Sequence, residues 1–281
     1  MRSRPSRSGV KMPKVSVVTA VHNSALFIEK CVTSVLDQDY PELEYIIIDG
    51  GSTDGTFQII ENFRDHLAYC ISERDRGQTH ALNKGFAQAT GDVFAWINAD
   101  EQYLPGTLWE VGRAFSSHPR LDFFSGNRIV IDQDLNEIRR KTWVPMHPKW
   151  HLLYKSHVLP TDASFWSARA HRMTGELDEK HFPRTGMDID WLLRLSLNVR
   201  EWKYTRKYLS KYTERPDRAS QKALEKNQDL VAYNHHLAQK MLYARRGFSK
   251  VELSLGRLVV NLWERIYCKL GQLGLLRLGE P

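Results

Sequence analysis

ATGDVFAWINADEQYLPG, Ala89 to Gly106, holds the turn of sequence on which the fold reading rests. The apolar run Val93–Ile97 reads as a buried strand. It stops at Asn98, and two carboxylates, Asp100 and Glu101, stand where the strand runs out. Adjacent carboxylates repel one another. A strand that ends this way therefore calls for a cationic partner beside it.

Working outward, the preceding residues alternate strand and helix. Val15–Ala20 reads as a strand, Ser24–Leu36 as a helix with Ser24 as N-cap, and Tyr45–Ile48 as a strand buried on both faces. Asp54–Phe63 follows as a helix behind the capping cluster Ser52-Thr53-Asp54. Ala68–Ser72 is a short strand, Gln78–Ala89 a helix and Val93–Asn98 the fourth strand. This βαβαβαβ order predicts an α/β fold with a Rossmann-like, doubly wound, mostly parallel sheet. Beyond Pro105 the pattern loosens. A helix is expected over Thr107–Ser117, strand-like pieces at Phe123–Ile131 and Arg140–Val144, another apolar stretch near Ala163–Ala168, and a helix at Asp188–Leu197. From Ser220 the chain reads as helical to about Leu273.

Ligands of open parallel sheets bind beyond the carboxyl ends of the strands. Those ends carry His22 and Asn23, then DGGSTDGT from Asp49, then SERDRGQ from Ser72, then NADE from Asn98. AVHNSA follows the first strand where a dinucleotide fold would carry GxGxxG, and no Walker motif is present. A hard divalent cation prefers carboxylate oxygens. The acids at the fourth strand therefore point to Mg2+ or Mn2+ on Asp100, with Asn98 beside it.

At this point five segments resemble a family. VSVVTAVHN, IIIDGGSTDGT, SERDRGQTHALNKGFAQATGD, WINADEQYLPG and MDIDWLLRL, in that order, are similar to the family 2 glycosyltransferases with the GT-A fold. The resemblance implies an inverting transferase that uses a nucleotide-diphospho-sugar donor, often a UDP-sugar, with a divalent metal. It implies a role in cell-surface polysaccharide or glycolipid synthesis, with a saccharide or lipid-linked acceptor. By the same resemblance Thr19, Ala20 and His22 line the nucleotide pocket, and Asp49 binds the base. Asp75 and Lys84 contact the nucleotide and its phosphates. Asn98 replaces the first acid of the family's DxD, Asp100 keeps the last as metal ligand, and Glu101 stands where a second acid often follows. Asp188 matches the catalytic base, while Met187 replaces the acid before it. YTERPDRAS stands where the family has Tyr-Arg-x-His, and puts Arg215 and Arg218 at the diphosphate.

The chain of 281 residues has a net charge of +7. Residues 1–14 carry five basic groups and no acid, and residues 241–281 seven basic groups and three acids, which leaves the middle slightly acidic. Such a distribution speaks against a nucleic-acid-binding body. The expected organisation is a basic tail over 1–14, a GT-A domain over 15–218 and a helical extension over 219–281. The GT-A domain divides into a nucleotide-sugar half, 15–106, and an acceptor half, 107–218. Three widely spaced cysteines form no disulfide or zinc pattern and suit reduced thiols in a cytosolic protein. No signal-peptide apolar region and no run of 18 apolar residues is present. The expected location is cytoplasmic. Arg257, Arg265 and Lys269, set between Leu253, Leu258 and Ile266, suit a helix lying on the inner face of a membrane or packed on protein.

Each candidate also has a plainer reading. DGGST makes a tight turn, and Asp188 and Asp190 suit the positive end of a helix dipole. Asp190 shares no helix face with Asp188. His147, His151 and His157 suit a loop or an acceptor cleft better than a metal, and Trp143, Trp150, Trp166 and Trp202 suit the core. The alternative function is a nucleotide-sugar-binding protein impaired in catalysis, which Asn98 and Met187 favour and Asp100 and Asp188 oppose.

Overall fold

The computed structural model describes residues 11–143 and 159–215. The basic tail up to residue 10, residues 144–158 with the three loop histidines and Trp150, and everything after 215, Arg218 and the helical extension included, lie outside the described residues.

Among the described residues nine strands form one sheet: β1 Val15–Val21, β2 Leu43–Asp49, β3 Tyr69–Ser72, β4 Val93–Trp96, β5 Glu101–Tyr103, β6 Leu121–Ile131, β7 Glu137–Lys141, β8 Ser164–Ser167 and β9 Glu201–Thr213. Their spatial order is β3-β2-β1-β4-β8-β6-β9-β5, with β7 on β6. The first four pair in parallel, and β9 lies parallel to β6; β5, β7 and β8 run against their neighbours. The expected α/β, GT-A-type, doubly wound and mostly parallel sheet is thus present.

The helices are α1 Ile28–Leu36, α2 Thr56–Glu61, α3 Gln78–Gln88, α4 Thr107–Ser117, α5 Ala168–Thr174 and α6 Met187–Ser196. Strand alternation divides the core in two. Val18, Ile46, Ile48, Trp96 and Trp166 face α3, α5 and α6. Val15, Val17, Ile47, Ala95 and Phe165 face α1, α2 and α4. Both faces of β1, β2 and β4 are covered, which is why they read as unbroken apolar runs. Trp166 and Trp191 are fully buried, with ring centroids 4.8 Å apart. His171 sits among them and accepts a hydrogen bond from the Trp166 indole at 3.2 Å. Burial pushes its pKa down to about 4, so it is a neutral core residue at pH 7.

Several elements differ from the sequence expectation: β7 lies at Glu137–Lys141 rather than Arg140–Val144, α5 was not expected, and three differences bear on the site. α1 begins at Ile28 rather than Ser24: the Ser24 hydroxyl donates to the His22 carbonyl, and its N–H goes to Thr56 Oγ1 at 2.7 Å. The neighbouring Ala25 N–H is taken by Asp54 at 3.0 Å. β5 follows β4 after only four residues, and Glu101 pairs opposite Tyr212 of β9. β9 itself, thirteen residues long, closes the second half of the sheet.

Candidate active site

The carboxyl ends of β1, β2, β3 and β4 meet at one rim, and their loops are stitched together by side chains. Asn23 takes the Thr53 N–H at 2.9 Å and gives its own N–H to Ser52 Oγ at 2.8 Å. Asp49, fully buried at the end of β2, accepts the Ser52 N–H at 3.0 Å and the hydroxyls of Ser52 and Ser72. Gly50 is closely approached by a side chain: a Cβ there would lie 2.4 Å from Asp75 Oδ2. Asp75 in turn accepts the Gly77 N–H at 2.8 Å. Asp49 and Asp75 therefore flank one glycine. Lys84, on α3, pairs with Glu73 at 2.5 Å and faces the same loop. His22 is exposed, with its ring 3.2 Å from the Asn23 amide. The Thr19 side chain turns inward and bonds Tyr45 Oη at 3.1 Å, and Ala20 packs in the core beside Val18. Of Thr19, Ala20 and His22, His22 alone presents an exposed side chain at the rim.

The β3–α3 loop also grips the segment that leads into α6. Arg76 holds Glu179 through two bonds, 2.6 and 3.0 Å. Thr79 donates from its N–H to the Pro183 carbonyl at 3.3 Å and from its hydroxyl to the Phe182 carbonyl. Gly77, at φ +131, has no room for a side chain because the Pro183 carbonyl oxygen would lie 2.4 Å from a Cβ. The segment just before α6, whose second residue is Asp188, is thereby tied to the β3–α3 loop and the first turn of α3.

The NADE turn answers the question posed by its charges. Asp100 is buried, and its Oδ2 accepts from Arg215 Nε at 3.1 Å. Arg215 stacks over Phe27 at 4.5 Å, and Thr213 Oγ1 donates to the Asp100 carbonyl. The offsetting cation among the described residues is thus an arginine. Glu101 is also buried but turns the other way: it accepts the Asn98 N–H at 2.9 Å and the Asn98 amide at 3.0 Å. The Asn98 amide oxygen takes a bond from Gln78 at 2.8 Å, and the Asn98 carbonyl takes the Cys31 thiol at 3.3 Å.

The two α6 carboxylates have separate fates. Asp190 is buried and pairs with Arg194 at 2.9 and 2.7 Å, while Arg194 also reaches the Thr174 carbonyl. That pair anchors α6 to α5. Asp188 retains some contact with solvent amid dense protein. Burial pushes its carboxyl up; the N–H groups of Ile189 and of Asp188 itself, and the charge of Arg128, oppose the rise without cancelling it.

Arg128 and Asp162 are the residues that sequence reading missed. They form a buried pair at 2.9 Å, with the Ser210 hydroxyl on the other carboxylate oxygen. The Arg128 guanidinium lies 4.2 Å over the Tyr212 ring and 5.9 Å from Trp143. A lone arginine inside the strand run FFSGNRIVI was the available signal. Tyr212 stands opposite Glu101 in the sheet, so Arg128 links the NADE turn to the neighbourhood of Asp188.

The residues present suit a divalent cation of a particular kind. Among the described residues no three His, Cys, Asp or Glu side chains gather as a ligand set. Asp100 offers one carboxylate at the rim. Mg2+ and Mn2+ in phosphate chemistry are often held by one or two carboxylates plus the substrate's own phosphates, and a single aspartate fits that arrangement.

The model of the family described as glycosyl transferase family 2 matches residues 16–173. The chain belongs to glycosyl transferase family 2. The match spans β1 to α5, the strand-end loops and NADE turn included. Among relatives, a GalNAc(5)-diNAcBac-PP-undecaprenol beta-1,3-glucosyltransferase of Campylobacter jejuni is 31% identical over 101 residues, 34% of this chain and 33% of that one. The chain spans between about a quarter and about half of the length of such curated relatives, 28% of one and 54% of another. Among solved structures, S. aureus TarS 1–349 in complex with UDP-GlcNAc aligns with TM-score 0.60 and 20% identity, over 79% of this chain and 66% of that one. A mannosyltransferase from Pyrobaculum calidifontis in complex with GDP-Man and Mn2+ aligns with TM-score 0.57 and 19% identity, over 80% and 63%. These likenesses show a shared GT-A fold. Among the described residues no helix is long and apolar enough to cross a membrane.

Proposed function

We propose that the protein moves a sugar from a nucleotide-diphospho-sugar to an acceptor hydroxyl with inversion at the anomeric carbon. The observation that carries this reading is a pair of carboxylates with different settings: Asp100 is ion-paired at the end of β4, and Asp188 has its proton affinity raised at the start of α6. Environments that set two carboxyls apart commonly mark distinct chemical roles.

Donor binding is assigned to the strand-end loops. Asp75 faces the nucleoside, and Asp49, buried on the other side of Gly50, orders Ser52 and Ser72 in the wall behind it; Lys84 and Arg215 carry the charge for its diphosphate; His22 closes the loop beside them. Thr19 and Ala20 support this wall from the core. Asp100 would hold Mg2+ or Mn2+, which when bound neutralises the diphosphate as it leaves. Asp188 takes the proton of the acceptor hydroxyl as that oxygen attacks. Its raised proton affinity makes it a better base than an ordinary aspartate. Direct displacement needs no protein nucleophile. The division into a donor half, 15–106, and an acceptor half, 107–218, follows from this assignment. A lipid-linked saccharide acceptor, reached from the cytoplasmic side of a membrane, is the acceptor class we favour, on the likeness to the undecaprenol-linked relative.

The test is release of nucleoside diphosphate from a panel of UDP- and GDP-sugars with Mn2+, with and without saccharide acceptors. Turnover that requires the metal and is lost in Asp188→Asn supports the proposal. Tight nucleotide binding without turnover of any donor would favour a binding protein instead.

A further inference from the structure

Asn98 stands at a position where a second metal-binding acid would be expected beside Asp100, yet its side chain is committed elsewhere. A carboxylate only accepts hydrogen bonds. The Asn98 nitrogen must therefore be the atom that faces Glu101 Oε1 at 3.0 Å, and its oxygen the atom that faces Gln78 Nε2 at 2.8 Å. The backbone N–H of Asn98 meets the other Glu101 oxygen at 2.9 Å, so the carboxylate grips residue 98 twice. Glu101 N–H returns to the Asn98 carbonyl at 3.0 Å, which closes a tight ring across residues 98–101. Asp100 sits inside that ring. Gln78 opens α3, whose N-terminal turn borders the donor loops. Glu101 is 1% exposed, so a second negative charge at residue 98 would face it with little water between.

We propose that Asn98 is a positioning residue: its neutral amide clasps the buried Glu101 carboxylate to Gln78 and so holds Asp100 as the single protein carboxylate for a cation. The clasp stands on hydrogen-bond geometry; its link to the cation rests on the glycosyl-donor reading above. The identity of residue 98 is then fixed by Glu101. An aspartate of the same size would lose the donor that Glu101 needs and set two carboxylates about 3 Å apart, a distance at which like charges strongly oppose each other.

The experiment is a double-mutant cycle on Asn98→Asp and Glu101→Gln in the full chain, read by thermal unfolding without ligand and by Mn2+ binding in the presence of UDP, followed by paramagnetic resonance of free Mn2+. In the Glu101 background, Asn98→Asp is expected to lower the melting temperature by about 5 °C or more and to weaken Mn2+ binding at least tenfold. In the Glu101→Gln background the same substitution is expected to cost much less in both measurements, because an amide can donate to the new carboxylate. Equal melting of Asn98→Asp and wild type, or tighter Mn2+ binding by the Asn98→Asp single variant, would overturn the proposal. If the wild type binds no Mn2+ with UDP, the cation link and the donor reading fall together. The unfolding cycle alone then decides the clasp.

Discussion

Arg215 Nε lies 3.1 Å from Asp100 Oδ2, and its guanidinium stacks 4.5 Å over Phe27. An arginine so placed leaves Asp100 charge-balanced before any metal or donor arrives. Asp100→Ala should therefore abolish metal-stimulated donor hydrolysis while leaving Arg215 at the rim. Arg215→Ala should keep the metal requirement and raise the donor KM about tenfold, the order expected for loss of one charge-assisted contact. Steady-state kinetics with and without EDTA check both. Metal-independent activity in the wild type would refute the assignment of Asp100.

Gly50 has no room for a methyl group, and the first atom it would strike is the end of the Asp75 side chain. A carboxylate can swing aside where a backbone atom cannot. Gly50→Ala is thus expected to fold, to displace Asp75 from its bond to Gly77, and to weaken UDP binding several-fold. Calorimetry with UDP measures the change, and a melting temperature close to wild type separates it from general damage.

Asp190 and Arg194 illustrate a carboxylate that serves stability. Their side chains are 3% and 13% exposed, and Arg194 also braces Thr174 on α5. Asp190→Ala leaves the arginine buried without its anion, a change that typically costs about 3–5 kcal/mol. Chemical denaturation should show this loss in the absence of any ligand. A variant as stable as wild type would mean that α6 is held by its apolar face alone.

The first half of this fold is legible in the sequence because β1, β2 and β4 are covered on both faces and so appear as apolar runs. The second half is less so. β9 carries Trp202, Tyr204, Tyr208 and Tyr212 in alternate register with Lys203, Lys207 and Lys211, and one side of it is half-exposed. Charge conceals its period of two, and its partner β6 lies about eighty residues earlier, beyond local pattern. Asp49, Asp75, Asp100 and Asp188 could be named from strand ends and motif order. The Arg128–Asp162 pair could not, because it depends on β6 and the turn before β8 meeting in space. The opening expectation was a cation beside the NADE acids; among the described residues that charge is Arg215, two residues past the end of β9. The turn also divides its two carboxylates between opposite tasks: Asp100 faces Arg215, while Glu101 folds back on Asn98.

Asp188 provides the prediction with the clearest sign. Burial raises its carboxyl above the usual aspartate range, and the N–H groups of residues 188 and 189 together with Arg128 offset only part of the rise. A carboxyl whose folded-state pKa is raised binds its proton more tightly folded than unfolded. Its contribution to stability is fully present below the unfolded value and is lost as pH rises through the folded value. At pH 7, above the unfolded value, this carboxyl is therefore a cost that Asp188→Asn removes. The variant should melt at or above the wild-type temperature at pH 7, and the difference should vanish as pH falls below the ordinary aspartate value. Transfer should behave in the opposite way: with donor and metal binding nearly unchanged, the rate should fall about 10²–10⁴-fold, the usual effect of removing a general base. The wild-type rate should fall off on the acid side at a pH above the ordinary aspartate value, and that inflection should be absent from the residual activity of the variant. Arg128→Met, by removing the charge that favours ionisation, should move the wild-type inflection to still higher pH. A variant at residue 188 that loses stability at pH 7 and keeps its transfer rate would show that this aspartate supports the helix and that the proton goes elsewhere.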